Sequence, residues 1–109
     1  MRIQNGFSRI QGIQQTAGRM LSDEDFRLLQ VSLLLRPDKG NVIPGGGGLS
    51  KLRWGLPGRG KHGGARVIYY WFAAANVIYL LMIYAKNEQE DLTADQLKSL
   101  RRAVEDEFK

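Results

Sequence analysis

The chain has 109 residues, enough for one domain with a modest core, so we treat residues 1–109 as a single unit. Hydrophobic residues make up 43% and charged residues 25% of the sequence, as in folded globular proteins. The lack of cysteine excludes disulfides and thiolate metal sites, and the single histidine, His62, would need carboxylate partners to bind zinc. The first residues lack the apolar core of a signal peptide, so we expect a cytoplasmic protein.

The positive charge is concentrated in the middle of the chain. Residues 39–86 contain seven lysines and arginines and no acid, whereas the other nine positive residues share the rest of the chain with all 11 acids. Such a segment attracts a polyanion, of which nucleic acid is the usual example. A solvated basic face that only aids solubility is the alternative, but these charges lie among glycines rather than along a helix.

Helices are predicted ahead of this basic segment. Ser22 can cap free N–H groups, and the three acids that follow it favour the positive end of a helix dipole. The run ends at Pro37, and an earlier helix is predicted over residues 10–20. The apolar residues that recur at helical spacing after Ser22 form one stripe, widened at two positions: Phe26, Leu28, Leu29, Leu33 and Leu35.

Strands are predicted in the middle of the chain, between glycine-rich loops over residues 40–48 and 55–64. Residues 49–54 alternate apolar and basic side chains, which indicates a strand with one charged face. Residues 67–85 carry no charge and nearly reach the about 20 residues of a membrane helix. Their β-branched and aromatic composition, interrupted at residues 73–76, instead favours two antiparallel strands joined by a hairpin turn.

The chain ends in a predicted helix. Thr93 and Gln96 have the spacing of a capping box, and Leu92 can pack onto Leu97. Its apolar face comprises Leu97, Leu100, Val104 and Phe108. The predicted fold is therefore α+β: N-terminal helices, a twisted antiparallel sheet of three or four strands covered by helices on one face, and a C-terminal helix.

Two glycine motifs resemble nucleotide-binding patterns. Residues 58–63 match the dinucleotide-binding fingerprint, and residues 55–61 match most of a P-loop. Both patterns require a helix directly afterwards, whereas the strand-like residues 66–72 follow here, and His62 stands where a P-loop needs a hydroxyl for magnesium. We therefore predict that the protein uses neither a nucleotide cofactor nor a metal.

The basic residues of the middle segment are the candidate functional site. Lys51 and Arg53 are two positions apart on a strand and so share a face. Arg66 opens the next strand and Lys86 closes the third, so neighbouring strands would bring all four cations to one surface. The loop beside them carries three more candidates: Arg59, Lys61 and His62.

Clustered cations without carboxylates suit the cleavage of RNA by its own 2′-OH. They stabilise the negative charge that develops on the phosphate, and their mutual repulsion lowers the pKa of a lysine or histidine towards neutrality. Arg66 is a candidate clamp for the transition state. Lys51, Lys61 and His62 are candidate acids or bases, although a single loop histidine is more often only solvated.

Three segments of this region, residues 49–54, 58–70 and 83–88, together resemble the HigB branch of the RelE/ParE toxin superfamily. The helix start at residues 21–26 and the tail at residues 91–97 fit as well. The resemblance implies a microbial-RNase-like toxin fold and cleavage of mRNA in the ribosomal A site, leaving a 2′,3′-cyclic phosphate. It also implies neutralisation by a HigA-like helix-turn-helix antitoxin, through which alone the complex binds DNA. The catalytic residues of the family would fall on Lys51, Arg53, Arg66 and Lys86.

Further residues follow from the same resemblance. Arg59 and Lys61 are candidates for binding RNA, and Trp54 and Tyr70 are candidates for stacking on a base, with core packing as the alternative for both aromatics. His62 stands where the family commonly has arginine. Residues 1–15 do not match the strand with which the family begins, which leaves a degenerate toxin as an alternative.

Two other functions stay open at this point. A ParE-like toxin would share the fold and inhibit DNA gyrase without cutting RNA, although such proteins generally lack the catalytic set that this chain retains. A basic module that binds RNA or the ribosome without turnover is the other alternative. Cuts in translated mRNA would distinguish the nuclease from both.

Overall fold

The computed structural model describes residues 21–56 and 60–108, with the exception of the side chains at positions 56, 60–63, 107 and 108. Neighbouring strands are all antiparallel, in the order β1-β2-β3-β4. The predicted α+β fold is confirmed. The elements are, in chain order, α1 (Asp23–Leu35), β1 (Asn41–Val42), β2 (Leu49–Leu56), β3 (Gly60–Phe72), a 3-10 turn (Ala73–Ala75), β4 (Val77–Ala85) and α2 (Ala94–Phe108).

The long uncharged run forms β3, the 3-10 turn and β4, as the hairpin prediction requires. Asn76 completes the turn in the left-handed conformation, with φ of 53°. None of the helices in the described ranges is long and apolar enough to cross a membrane. The predicted helix over residues 10–20 lies outside the described residues.

Helix α1 begins and ends where its sequence predicts. The Ser22 hydroxyl accepts a hydrogen bond from the Asp25 N–H at 3.1 Å. The helix stops at Leu35 because Pro37 disfavours a helical conformation for the residue before it. Leu29 and Leu33 are fully buried, whereas Leu35 is 77% exposed. The prediction that Leu28 and Leu35 widen the buried stripe is wrong, because α1 buries only the narrow stripe that rests on the sheet.

The sheet lies between the two helices, so the prediction that helices cover only one face is wrong. Leu29 and Leu33 of α1 pack with Leu52, Val67 and Tyr69 on one face. The other face carries a second buried cluster, to which α2 contributes Val104, Leu97 and Leu100, and which includes Leu49, Ile68 and Tyr79 from the strands. Strands β3 and β4 are apolar on both sides, and each apolar face needs a helix to exclude water.

Both predicted loops contain strand residues. Within residues 40–48, the two residues of β1 pair with β2, Asn41 opposite Lys51. Residues 55–64 were expected to form a loop, but β2 extends to Leu56 and β3 starts at Gly60, which pairs with Leu56. The loop prediction is wrong there, because backbone pairing along a long hairpin outweighs the weak strand propensity of glycine.

Helix α2 starts at the predicted capping box. The Gln96 N–H donates to the Thr93 hydroxyl, and the Thr93 N–H donates to the Gln96 side-chain oxygen, both at 3.0 Å. Leu92 and Leu97 pack against the buried cluster on this face. The Phe108 side chain lies outside the described residues.

Tyr69 ties the connection between α1 and β1 to the central strand. Its hydroxyl donates to the Pro37 carbonyl at 2.7 Å and accepts from the Gly40 N–H at 2.9 Å. The backbone passes so close that a Cβ atom on Gly40 would lie 2.8 Å from the Tyr69 side chain. These contacts fix the place from which β1 starts.

We expect Tyr69→Phe to lower the free energy of unfolding by about 1–3 kcal/mol at pH 7, because both hydrogen bonds are lost at a partly buried position. Burial raises the pKa of the Tyr69 hydroxyl above its ordinary 10.0. The stability gained from keeping it neutral is therefore complete below pH 10 and is lost as the pH rises through the raised pKa.

Chemical denaturation at pH 7 and between pH 9 and 11 checks both points. The fall in stability at high pH should be smaller in Tyr69→Phe than in the wild type. Equal stability of the two proteins at pH 7 would show that these hydrogen bonds contribute nothing.

Candidate functional site

Strand register brings basic residues to the face of the sheet that carries α2. Arg53 pairs with Arg66, and Arg66 pairs with Tyr84 on β4. Lys51, two positions before Arg53, projects from the same face. Neighbouring strands lie about 4.8 Å apart, so Arg53, Arg66 and Tyr84 form a row about 10 Å long across three strands.

Fewer details of position are described for the other predicted site residues. Lys86 directly follows β4, and its backbone N–H donates to the Gly64 carbonyl at 3.0 Å, next to the row. Arg59 lies outside the described residues. Lys61 and His62 belong to β3, but their side chains are not among those described. The roles of these residues stay predictions.

The two aromatic candidates both pack against the core. Trp54 lies on the opposite face of the sheet, against the cluster that contains α1. Tyr70 shares a face with Arg66 but packs into the cluster beneath α2, and its ring closely approaches Gly48. Core packing, the alternative weighed for both residues, matches these positions.

A cleft of about 350 Å³ opens where β1 and β2 approach the start of α2. This volume is near the lower end for small-ligand pockets, about 300–1,000 Å³. Two cations, one acid, one amide and several apolar side chains surround it: Asn41, Val42, Ile43, Pro44, Lys51, Arg53, Asp91, Leu92 and Leu97. Cations beside apolar side chains suit a ligand that is part phosphate and part base.

An ion pair spans one side of this cleft. The Lys51 Nζ donates to Asp91 Oδ1 at 2.8 Å, with the Asp91 side chain 73% exposed and that of Lys51 30% exposed. The hydrogen bond from Lys51 lowers the pKa of the Asp91 carboxyl, the charge of Lys51 adds to the effect, and Arg66 contributes less. Asp91 is therefore a carboxylate at any physiological pH. The prediction of cations without a carboxylate is therefore wrong for this cleft, and the sequence analysis missed Asp91 because no spacing rule links residues 40 positions apart.

Arg66 contributes a fixed charge to the same face. It is only 4% exposed, and its Nη1 donates to the neighbouring Ala65 carbonyl at 3.1 Å. A guanidinium stays charged at any physiological pH, and burial limits its movement. Such a preorganised cation stabilises negative charge better than a mobile one in water.

Tyr84 is a second residue that the sequence analysis missed. It is 5% exposed, and within the described part of the chain its buried hydroxyl has no hydrogen-bond partner. Burial raises the pKa of Tyr84, the charge of Asp91 acts in the same direction, and Arg66 opposes both. The hydroxyl therefore stays protonated, as a buried donor on the strand position that pairs with Arg66. Its place within a long apolar run concealed it, because such runs predict only core.

Comparison with known protein families identifies a toxin family. The model of a family described as the RelE toxin of the RelE / RelB toxin-antitoxin system matches residues 38–109. The match includes every strand, helix α2, both residues of the ion pair and Tyr84.

We expect Tyr84→Phe to leave the free energy of unfolding unchanged or to raise it by up to about 1 kcal/mol, because it removes a buried hydroxyl whose hydrogen bond is unmade. Urea denaturation of the two proteins measures this. A loss of more than about 1 kcal/mol would show that the hydroxyl is already hydrogen-bonded within the fold.

Proposed function

We propose that this chain, which belongs to the RelE toxin family of toxin–antitoxin systems, is a HigB-type endoribonuclease that cleaves mRNA in the ribosomal A site. Toxins of this family are generally endoribonucleases. The observation that carries the proposal is the register that sets Lys51, Arg53 and Arg66 on one face, beside a cleft of nucleotide size.

The positions of Lys51, Arg53 and Arg66 suit the negative charge that develops during RNA cleavage. The 2′-oxygen forms a bond to the adjacent phosphorus, the bond to the 5′-oxygen breaks, and the products are a 2′,3′-cyclic phosphate and a 5′-hydroxyl. In the transition state between substrate and products, the oxygens on phosphorus carry more negative charge than in the substrate. Lys51 and Arg53 line the cleft and can hold the phosphate oxygens, while the fixed charge of Arg66 favours the state in which negative charge is greatest.

Proton transfer falls to side chains other than the arginines. A guanidinium does not give up its proton in proteins, so among the predicted site residues the acid and base must come from lysine, histidine or tyrosine. The raised pKa of Tyr84 suits it to donate a hydrogen bond and not to act as a base. Lys51, Lys61, His62 and Lys86 are the remaining candidates for removing the 2′-OH proton and protonating the 5′-oxygen.

The partners follow from the same proposal. The family pairs each toxin with an antitoxin. We infer a HigA-like helix-turn-helix antitoxin, which would bind the operator DNA on behalf of the complex. The substrate would be mRNA held by the ribosome in the cytoplasm, and no metal or organic cofactor is needed for attack by the 2′-OH.

Primer extension on an mRNA during in vitro translation tests the proposal. We expect codon-phased cuts with the wild-type protein and about 10²–10³-fold slower cutting in Lys51→Gln and Arg53→Gln, because each loses a cation at the reacting phosphate. Arg66→Lys should also be slow, since lysine keeps the charge but loses the planar fork. Arg27→Gln is the matched control, because Arg27 is an exposed cation on α1, across the sheet.

The control variant should cut at the wild-type rate. Thermal denaturation of each variant separates loss of chemistry from loss of fold, which matters most for the buried Arg66. Intact mRNA with inhibited DNA gyrase would indicate a ParE-like toxin. Intact mRNA with retained ribosome binding would indicate a binding module without turnover.

A further inference from the structure

We propose that Asp91 is an acidic latch: in the free protein its carboxylate occupies the position on the Lys51 ammonium that a substrate phosphate must take. The inference rests on the proposed function, because it assigns phosphate as the ligand of Lys51. Asp91 would weaken the binding of free anions at a site whose other charged residues are cations.

The backbone of Asp91 is held in place, whereas its side chain is largely exposed. The Gln89 side-chain amide donates to the Asp91 carbonyl at 2.9 Å and to the Gln96 side-chain oxygen at the same distance. Gln96 in turn belongs to the capping box of α2. The backbone at Asp91 is therefore held just before the helix, while its largely exposed side chain lines the cleft and pairs with Lys51.

Displacing the Asp91 carboxylate from Lys51 costs little free energy. An exposed ion pair contributes little to stability, since water solvates both groups once they separate. The Asp91 side chain can rotate into solvent without disturbing the capping box, because the bond from Gln89 is accepted by the Asp91 backbone carbonyl. Lys51 would then present its three N–H donors to a phosphate oxygen.

The effect on anion binding follows from charge. Lys51 and Arg53 give the cleft two positive charges, and Asp91 removes one of them. Its carboxylate also lies within the field of Arg66, which lowers its pKa in the same direction as Lys51 does. An incoming phosphate must therefore replace an ionised competitor at the point where the attraction is strongest.

The latch selects for RNA that is held in place. A short oligonucleotide in solution competes with Asp91 at its bulk concentration, whereas a message fixed on the ribosome presents its phosphate at a far higher effective concentration. The carboxylate thus lowers occupancy by loose nucleotides and RNA fragments more than it lowers occupancy by a phosphate held in place.

Binding of a probe that cannot be cut tests the latch. We would titrate a fluorescent 2′-O-methyl trinucleotide into the wild-type protein, Asp91→Asn and the charge-matched control Asp106→Asn, with anisotropy as the readout. Asp91→Asn should bind about 3–10-fold more tightly than the wild type, because the competing charge is gone. Asp106 lies about 18 Å along α2 from its first residue, beyond the Debye length of about 8 Å, so Asp106→Asn should change affinity less than 2-fold.

A second pair of variants tests whether the latch acts through Lys51. In a Lys51→Gln background, the gain from Asp91→Asn should shrink to that of the Asp106→Asn control, because the competition no longer exists. Equal affinities of wild type and Asp91→Asn overturn the proposal, as does an equal gain in both acid variants or a probe that binds none of them.

The 2′-O-methyl probe separates this proposal from the nuclease proposal. Tighter binding by Asp91→Asn in a protein that leaves mRNA intact supports the latch and rejects the nuclease. Codon-phased cutting by the wild type without tighter probe binding by Asp91→Asn supports the nuclease and rejects the latch.

Discussion

The pairing of β2 with β3 determines most of what this molecule presents to a ligand. Arg53 and Arg66 are 13 positions apart in the chain, and only the hairpin register sets them opposite each other. A slip of β2 by one residue would turn its cations Lys51 and Arg53 to the other face, under α1 and into an apolar cluster. Burying the cations of β2 in that cluster would be costly, so the core and the candidate site are specified by the same pattern.

The helices complete the site from opposite sides of the sheet. Helix α1 covers one face, and the Tyr69 hydroxyl of β3 fixes the loop that leads from α1 to β1, which supplies part of the cleft. Helix α2 covers the other face, and its capping box holds Asp91 next to Lys51. The cleft therefore lies where the β1–β2 edge of the sheet meets the start of α2.

Sequence patterns predicted the local elements well and the long-range arrangement only in part. Ser22, Thr93 and Gln96 cap the helices as their chemistry requires, since capping depends on neighbours within one turn. The face covered by each helix was not predictable from periodicity, because β4 is apolar on both sides. The glycines of residues 60–64 concealed the start of β3, whose pairing depends on β2 and on Lys86.

The difference between local patterns and long-range contacts also explains which site residues were predictable from the sequence. Lys51, Arg53 and Arg66 stand out because a positive segment without acids is visible in the chain itself. Asp91 and Tyr84 acquire their significance only from what they face: one meets Lys51 across 40 residues, and the other lies beside Arg66. A cation cluster read from sequence gives the attraction for phosphate. The carboxylate that pairs with Lys51 and the buried hydroxyl beside Arg66 appear only once the strands are in register.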